Sequence, residues 1–179
     1  MQAQTVLQFW FQELTPQKHF AKDAALDEAI RVRFGSTLEA AARCELFGWR
    51  STPEGRLAEI IVLDQFSRNV YRDTPHAFAQ DALALALAQE LVASGQDRSL
   101  PVAQRSFAYM PYMHSESSLV HAQAVALFSQ PGMEGNLNFE LRHKEIIDRF
   151  GRFPHRNAIL GRTSTTEELA FLSEPGSSF

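Results

Sequence analysis

A chain of 179 residues with 45% apolar and 21% charged side chains has the size and composition of one globular domain, which excludes bulk disorder. The formal net charge of −4 argues against a whole-surface electrostatic nucleic-acid binder, and a single cysteine, Cys44, excludes an internal disulfide framework or a cysteine-rich zinc site. The most apolar stretch, 77–93, is interrupted by Gln80, Asp81, Gln89 and Glu90, so no membrane span is expected. The opening MQAQTVLQFW lacks the basic and small-residue features of a signal peptide, and a cytoplasmic location is the expectation.

Alanine and leucine total 42 residues against 14 for valine and isoleucine, so strong helix formers outnumber strand formers threefold. Even the alternation ALALALA at 82–88 is built of helix formers, and the fold class read from the chain is all-α. Local punctuation then orders the helices. The first covers about 5–14 and stops near Thr15-Pro16. A second spans 23–34 with Gly35 as its terminal glycine, and a third covers 36–46, with Cys44 as a small core residue. Ser51 and Glu54 have capping-box spacing, while Thr52-Pro53 can instead set proline at the first helical position of a helix reaching about 71. Further helices are expected at 75–95, 101–110, 115–130 with Ser115 as cap, 136–150 ending at Gly151, and 165–172 with Thr165 and Glu168 as a capping box. Residues 173–179 read as a frayed tail. The expected architecture is a single domain, 1–179, of eight or nine helices in antiparallel hairpins.

The polar groups that interrupt apolar faces are the candidates for function. Leu57, Ile61, Asp64 and Arg68 share one helix face, so an apolar stripe runs into a carboxylate and a guanidinium at i, i+4. This is either a buried ion pair or one wall of a polar pocket, with Asn69 and Arg72 beside it and Asp81 as the partner of Arg68 or Arg72. His143 sits on the apolar side of its helix with Phe139, Ile146, Ile147 and Phe150, and Asp64 and Arg68 are expected to face that helix. His114 precedes the proposed cap, and Glu116 falls in the first turn. Residues 142–162 hold six of the 17 bases and two acids. Gly151 and Pro154 there gather Arg149, Arg152, His155, Arg156 and Asn157 near the start of a short helix, a plausible oxyanion or carboxylate site. The competing reading makes these arginines staples to acids on other helices.

Three long segments carry a family resemblance: LDQFSRNVYRDTPHAFAQDALALALA (63–88), YMPYMHSES (109–117) and HKEIIDRFGRFPHRNAILGRTSTTEE (143–168), with the opening VLQFWFQEL. Together they resemble the bacterial family called domain of unknown function 924. The resemblance implies an all-helical fold with tetratricopeptide-like hairpins and brings no activity with it. Its polar signature falls on Asp64, Gln65, Arg68, Asn69, Arg72, Asp81, His114, Ser115, Glu116, His143, Arg149, Arg152, His155, Arg156, Asn157 and Arg162. His121 stands where that pattern favours glutamine, and His19 where it favours tryptophan.

Standard signatures are absent. There is no P-loop, G-x-G-x-x-G, G-x-S-x-G or H-E-x-x-H, and the H-x-E formed by His114 and Glu116 lacks the P-C-x-x-C of the zinc deaminases. A metal held by His114, Glu116 and His143 is the weakest option, and no metal or cofactor is expected. The leading reading is a helical binding protein whose pocket takes a small anionic ligand or an acidic peptide. Its residues are Asp64, Arg68, Asn69, Arg72, His114, Glu116, His143, Arg152, His155, Arg156 and Asn157. The alternatives are an enzyme using His114 or His143 as general acid/base on an anionic substrate, or an ion-pair network in a protein-interaction module. No nucleic-acid or membrane partner is expected.

Overall fold

The computed structural model describes residues 1–178 and has nine α-helical segments and no strand among them. In chain order these are α1 (Ala3–Gln8), α2 (Ala24–Ala42), α3 (Pro53–Ile61), α4 (Ser67–Val70), α5 (Asp81–Ala93), α6 (Val102–Met113), α7 (Ser118–Phe128), α8 (Glu134–Phe150) and α9 (Thr166–Leu172). A π-helical turn, Val62–Phe66, joins α3 to α4 without a break, and another, Phe9–Glu13, extends α1. The fold is all-α, as expected. No helix among the described residues is long and apolar enough to cross a membrane.

Several boundaries follow from single side chains. The Asp23 carboxylate accepts from the Ala25 and Leu26 amides and starts α2. Thr52, not Ser51, caps α3 by accepting from Gly55 N, with Pro53 at the first helical position. Gly151, at φ 69°, ends α8, and Thr165 with Glu168 forms a complete capping box on α9.

Other boundaries differ from the sequence reading. Residues 23–34 and 36–46 do not form two helices, because α2 runs straight through Gly35. A helical glycine costs about 1 kcal/mol against alanine, which the single buried stripe of Leu26, Ile30, Phe34, Leu38 and Ala41 outweighs. Cys44 is not in the core. It lies beyond the end of α2, exposed, at φ 58°, in the left-handed position that closes a Schellman motif: Cys44 N donates to Ala41 O and Glu45 N to Ala40 O. Residues 75–95 begin with a 3-10 turn, Pro75–Phe78, before α5. The N-cap position of α7 is Ser117, not Ser115, and the Ser117 side chain makes no capping hydrogen bond. The short helix expected from Pro154 is a three-residue 3-10 turn, Pro154–Arg156. In the tail, Ser177 is buried and donates to Leu172 O; Phe179 lies outside the described residues.

One large core and one small core result. The large one joins α1 to α7 around Trp10, Phe34, Leu57, Ile61, Phe66, Tyr109 and Phe128, with Phe34 packed on Phe9 and Phe66 at ring-centroid distances of 4.9 Å. The small one is Ile146, Ile147 and Phe153, with Phe150 and Phe171 against it. α8 packs chiefly on α7. Between the two cores, the loop after α6 meets the segment after α8. That seam collects the polar side chains.

Candidate functional site

Asp64 lies inside the π turn Val62–Phe66. Such a turn inserts an extra residue into the helical repeat and re-aims the side chains that follow, and π turns are frequent at functional sites. Here it turns the Asp64 carboxylate inward, where only 1% of the side chain is exposed. Three groups meet it. His114 Nδ1 is 2.7 Å from Oδ1, Arg68 Nη1 is 3.1 Å from Oδ1, and Gln65 Nε2 donates to Oδ2. Burial alone would raise the Asp64 pKa, but Arg68 and His114 overcome it and hold the carboxyl well below its ordinary range.

His114 is the C-cap of α6, directly after the turn containing Pro111. Burial holds the imidazole below its ordinary pKa, against the upward pull of Asp64. Arg68 extends from α4 to grip Asp81 at the start of α5 as a fork, at 2.8 and 3.0 Å. Asp81 therefore pairs with Arg68, while Arg72 turns the other way.

Arg156 completes the group. Its guanidinium is sandwiched between the rings of Phe78 and Phe153, 4.6 Å from each centroid. Nη2 donates to His114 O at 3.1 Å, and Nη1 reaches Asp81 Oδ2 only at 3.4 Å. Its Nε is buried and has no hydrogen-bond partner among the described residues. Burial, then Arg68, push its pKa down to about 10, so it is still a cation at neutral pH.

The structure thus brings Asp64, Arg68, His114 and Arg156 together. It does not bring in the rest of the expected pocket on equal terms. Asn69 and Arg72 both turn to Asp27 on α2. Arg152 forks onto Glu168, and Asn157 bonds Ser164 and Arg162. His143 faces neither Asp64 nor Arg68 as a hydrogen-bond partner; its Nδ1 bonds Phe139 O one turn back along α8. Burial pushes its pKa down to about 3. His155 packs against Phe153 at 5.6 Å, and burial followed by Arg156 lowers its pKa to about 4.

Glu116 occupies the place where an exogenous anion was expected. It accepts from the Phe153 amide at 2.7 Å and from both Nη atoms of Arg162. The amides of Arg156 and Asn157 are used by Phe153 O and Pro154 O. The anion bound at the start of the 3-10 turn is the chain's own. With Glu116 and His114 so engaged, no group of three or more histidine, cysteine, aspartate or glutamate side chains among the described residues is placed to hold a metal ion.

Sequence reasoning missed two features. Phe153, fully buried, is the hub on which His121, His143, His155 and Arg156 pack. Its only signal was its place between Gly151 and Pro154. His121 and Glu140, both fully buried, form a second imidazole–carboxylate pair at 2.7 Å, and His121 Nε2 bonds Ser115 O, bracing the loop that carries His114. In the sequence, His121 shows only as a departure from the family pattern.

The family profile described as bacterial protein of unknown function (DUF924) matches residues 6–176. The chain belongs to the DUF924 family. A solved structure, the protein of unknown function ATU0120 from Agrobacterium tumefaciens, is 41% identical to this DUF924 chain and superposes with a TM-score of 0.90 over 96% of both chains. No curated protein matches it. The DUF924 fold is thus secure, and the reading of the seam rests on the chemistry of its residues.

Proposed function

We propose that this chain binds a small anionic molecule at the face formed by Arg68, Asp81, His114 and Arg156. The observation that carries this reading is the isolation of Arg156. Arg68, Arg72, Arg152 and Arg162 are each gripped by a carboxylate fork. Arg156 has no fork. Two of its five N–H donors have protein acceptors, one of them at 3.4 Å, and the aromatic rings on either side hold the guanidinium flat. A planar cation with spare donors in a rigid frame suits a carboxylate or phosphate group.

Thermal melts of wild type and Arg156→Ala, with and without inorganic phosphate, test this. A ligand at 100 times its Kd adds about 2.7 kcal/mol of stability. Phosphate should therefore raise the wild-type melting temperature and leave that of Arg156→Ala unchanged. An equal phosphate response in both proteins, or none in wild type together with a large loss of stability in the variant, would make Arg156 a structural staple.

A further inference from the structure

We propose that Asp64 and His114 are a general-base dyad that activates water against an anionic ester anchored on Arg156; the anchoring rests on the reading above. The geometry assigns the tautomer. Asp64 is a buried acceptor beside Arg68, so the 2.7 Å contact makes Nδ1 of His114 the donor and leaves the lone pair on Nε2. Among the described residues Nε2 has no hydrogen-bond partner, and it is not one of the sealed unpartnered atoms. The side chain keeps 16% exposure.

His121 and His143 do not share this arrangement. Both nitrogens of His121 are occupied, in a fully buried side chain, and the Nδ1 of His143 is spent on a backbone carbonyl. An orienting carboxylate on one nitrogen and an open second nitrogen is the arrangement that general-base catalysis needs. Burial keeps the ring neutral at pH 7, ready to accept a proton.

An O–H bond of water breaks, its proton goes to Nε2, and the oxygen electron pair forms a C–O bond at the ester carbonyl, whose π pair moves to oxygen. The new imidazolium is held by Asp64. Collapse of the tetrahedral adduct breaks the bond to the alkoxide, which takes the proton back from Nε2, so that ester and water become acid and alcohol. Arg156 holds the anionic end of the ester throughout.

The test uses the full chain. Carbethoxylation of each histidine by diethyl pyrocarbonate, followed by peptide mass spectrometry, reports whether Nε2 is exposed and unprotonated. His114 should react at least tenfold faster than His121 and His143, and nitrogen NMR of the ring should show hydrogen on Nδ1. Hydrolysis of mono-4-nitrophenyl succinate should be saturable and fall at least tenfold in His114→Gln and Asp64→Asn, with circular dichroism confirming that each variant is folded. The neutral ester 4-nitrophenyl acetate should show a smaller difference. If Asp64→Asn does not fold, the wild-type ring tautomer and the His114→Gln rates still decide. A hydrogen on Nε2, or equal hydrolysis by wild type and His114→Gln, would falsify the dyad. If phosphate fails to slow the modification of His114 while the tautomer and rates hold, the anchoring by Arg156 falls and the dyad stands.

Discussion

At the scale of single residues, burial decides which charges matter. The Arg68 guanidinium serves two carboxylates, Asp64 and Asp81, and the first is 1% exposed. Arg68→Ala strands a buried negative charge and should cost about 3–5 kcal/mol, read as a shift in the urea unfolding midpoint. Arg149 pairs with Glu167 at a similar distance, but their side chains are 46% and 62% exposed. Arg149→Ala should leave the midpoint within error of wild type, because water already screens that pair. Comparable losses at the two positions would mean that the seam is as wet as the surface. The sequence pattern told these arginines from lysines but not from one another. Arg68, Arg149 and Arg156 differ in what the fold places around them.

At the scale of elements, packing overrides local punctuation in α2 and obeys it in α8 and α9. Gly35 has a terminator's identity, yet the stripe from Leu26 to Ala41 carries the helix across it. An ideal Cβ there meets nothing within 4 Å. Gly35→Ala should therefore raise stability by about 0.5–1 kcal/mol through helix propensity alone, visible as a higher melting temperature. Gly55 is the opposite case. A Cβ on it would lie 2.1 Å from Trp49 O, against backbone that cannot move aside cheaply. Gly55→Ala should lower the melting temperature, and a gain there would contradict the close approach of α3 to the turn Phe47–Ser51. The π turn at Val62–Phe66 is the feature that pattern reading could not supply. A spacing of 4, 3, 4 from Leu57 to Arg68 assumes a uniform helix, and the extra residue re-aims Asp64 toward α6 instead of the helix of His143.

At the scale of the whole molecule, the seam between the two cores should make stability depend on pH. His143 and His155 are held near 3 and 4 when folded, against an ordinary value of 6.5, mainly by burial. The unfolded chain therefore binds more protons than the folded one between those values and about 6.5, and stability falls as the pH drops through that window. Each histidine contributes roughly 1 kcal/mol per pH unit across its own window. The carboxyls add to the loss at lower pH. Glu116, lowered by Arg162 and the Phe153 amide despite burial, contributes stability above the ordinary carboxylate range that disappears as the pH falls through its folded value. Melting temperatures should be level above pH 7 and decline from about 6.5 to 4, with a shallower decline in His143→Gln. A level profile from pH 7 to 5 would show that these imidazoles are solvated.

What the sequence determined by itself was the all-helical class, most helix starts and stops, and some of the polar residues that would not lie on the surface, Asp64 and His143 among them. Each depends on neighbours within a few positions: helix propensity, caps such as Asp23 and Thr165, and a carboxylate at Asp64 interrupting an apolar face. The tertiary structure alone decided the pairing. Arg156 lies 75 residues from Asp81, His114 lies 50 from Asp64, and Glu116 lies 46 from Arg162. Charge and hydrogen-bond capacity are local properties of a residue, whereas the partner that satisfies them is chosen by which helices share a core. That choice turned most of an expected anion pocket into internal ion pairs and left Arg156 and the outer nitrogen of His114 with capacity to spare.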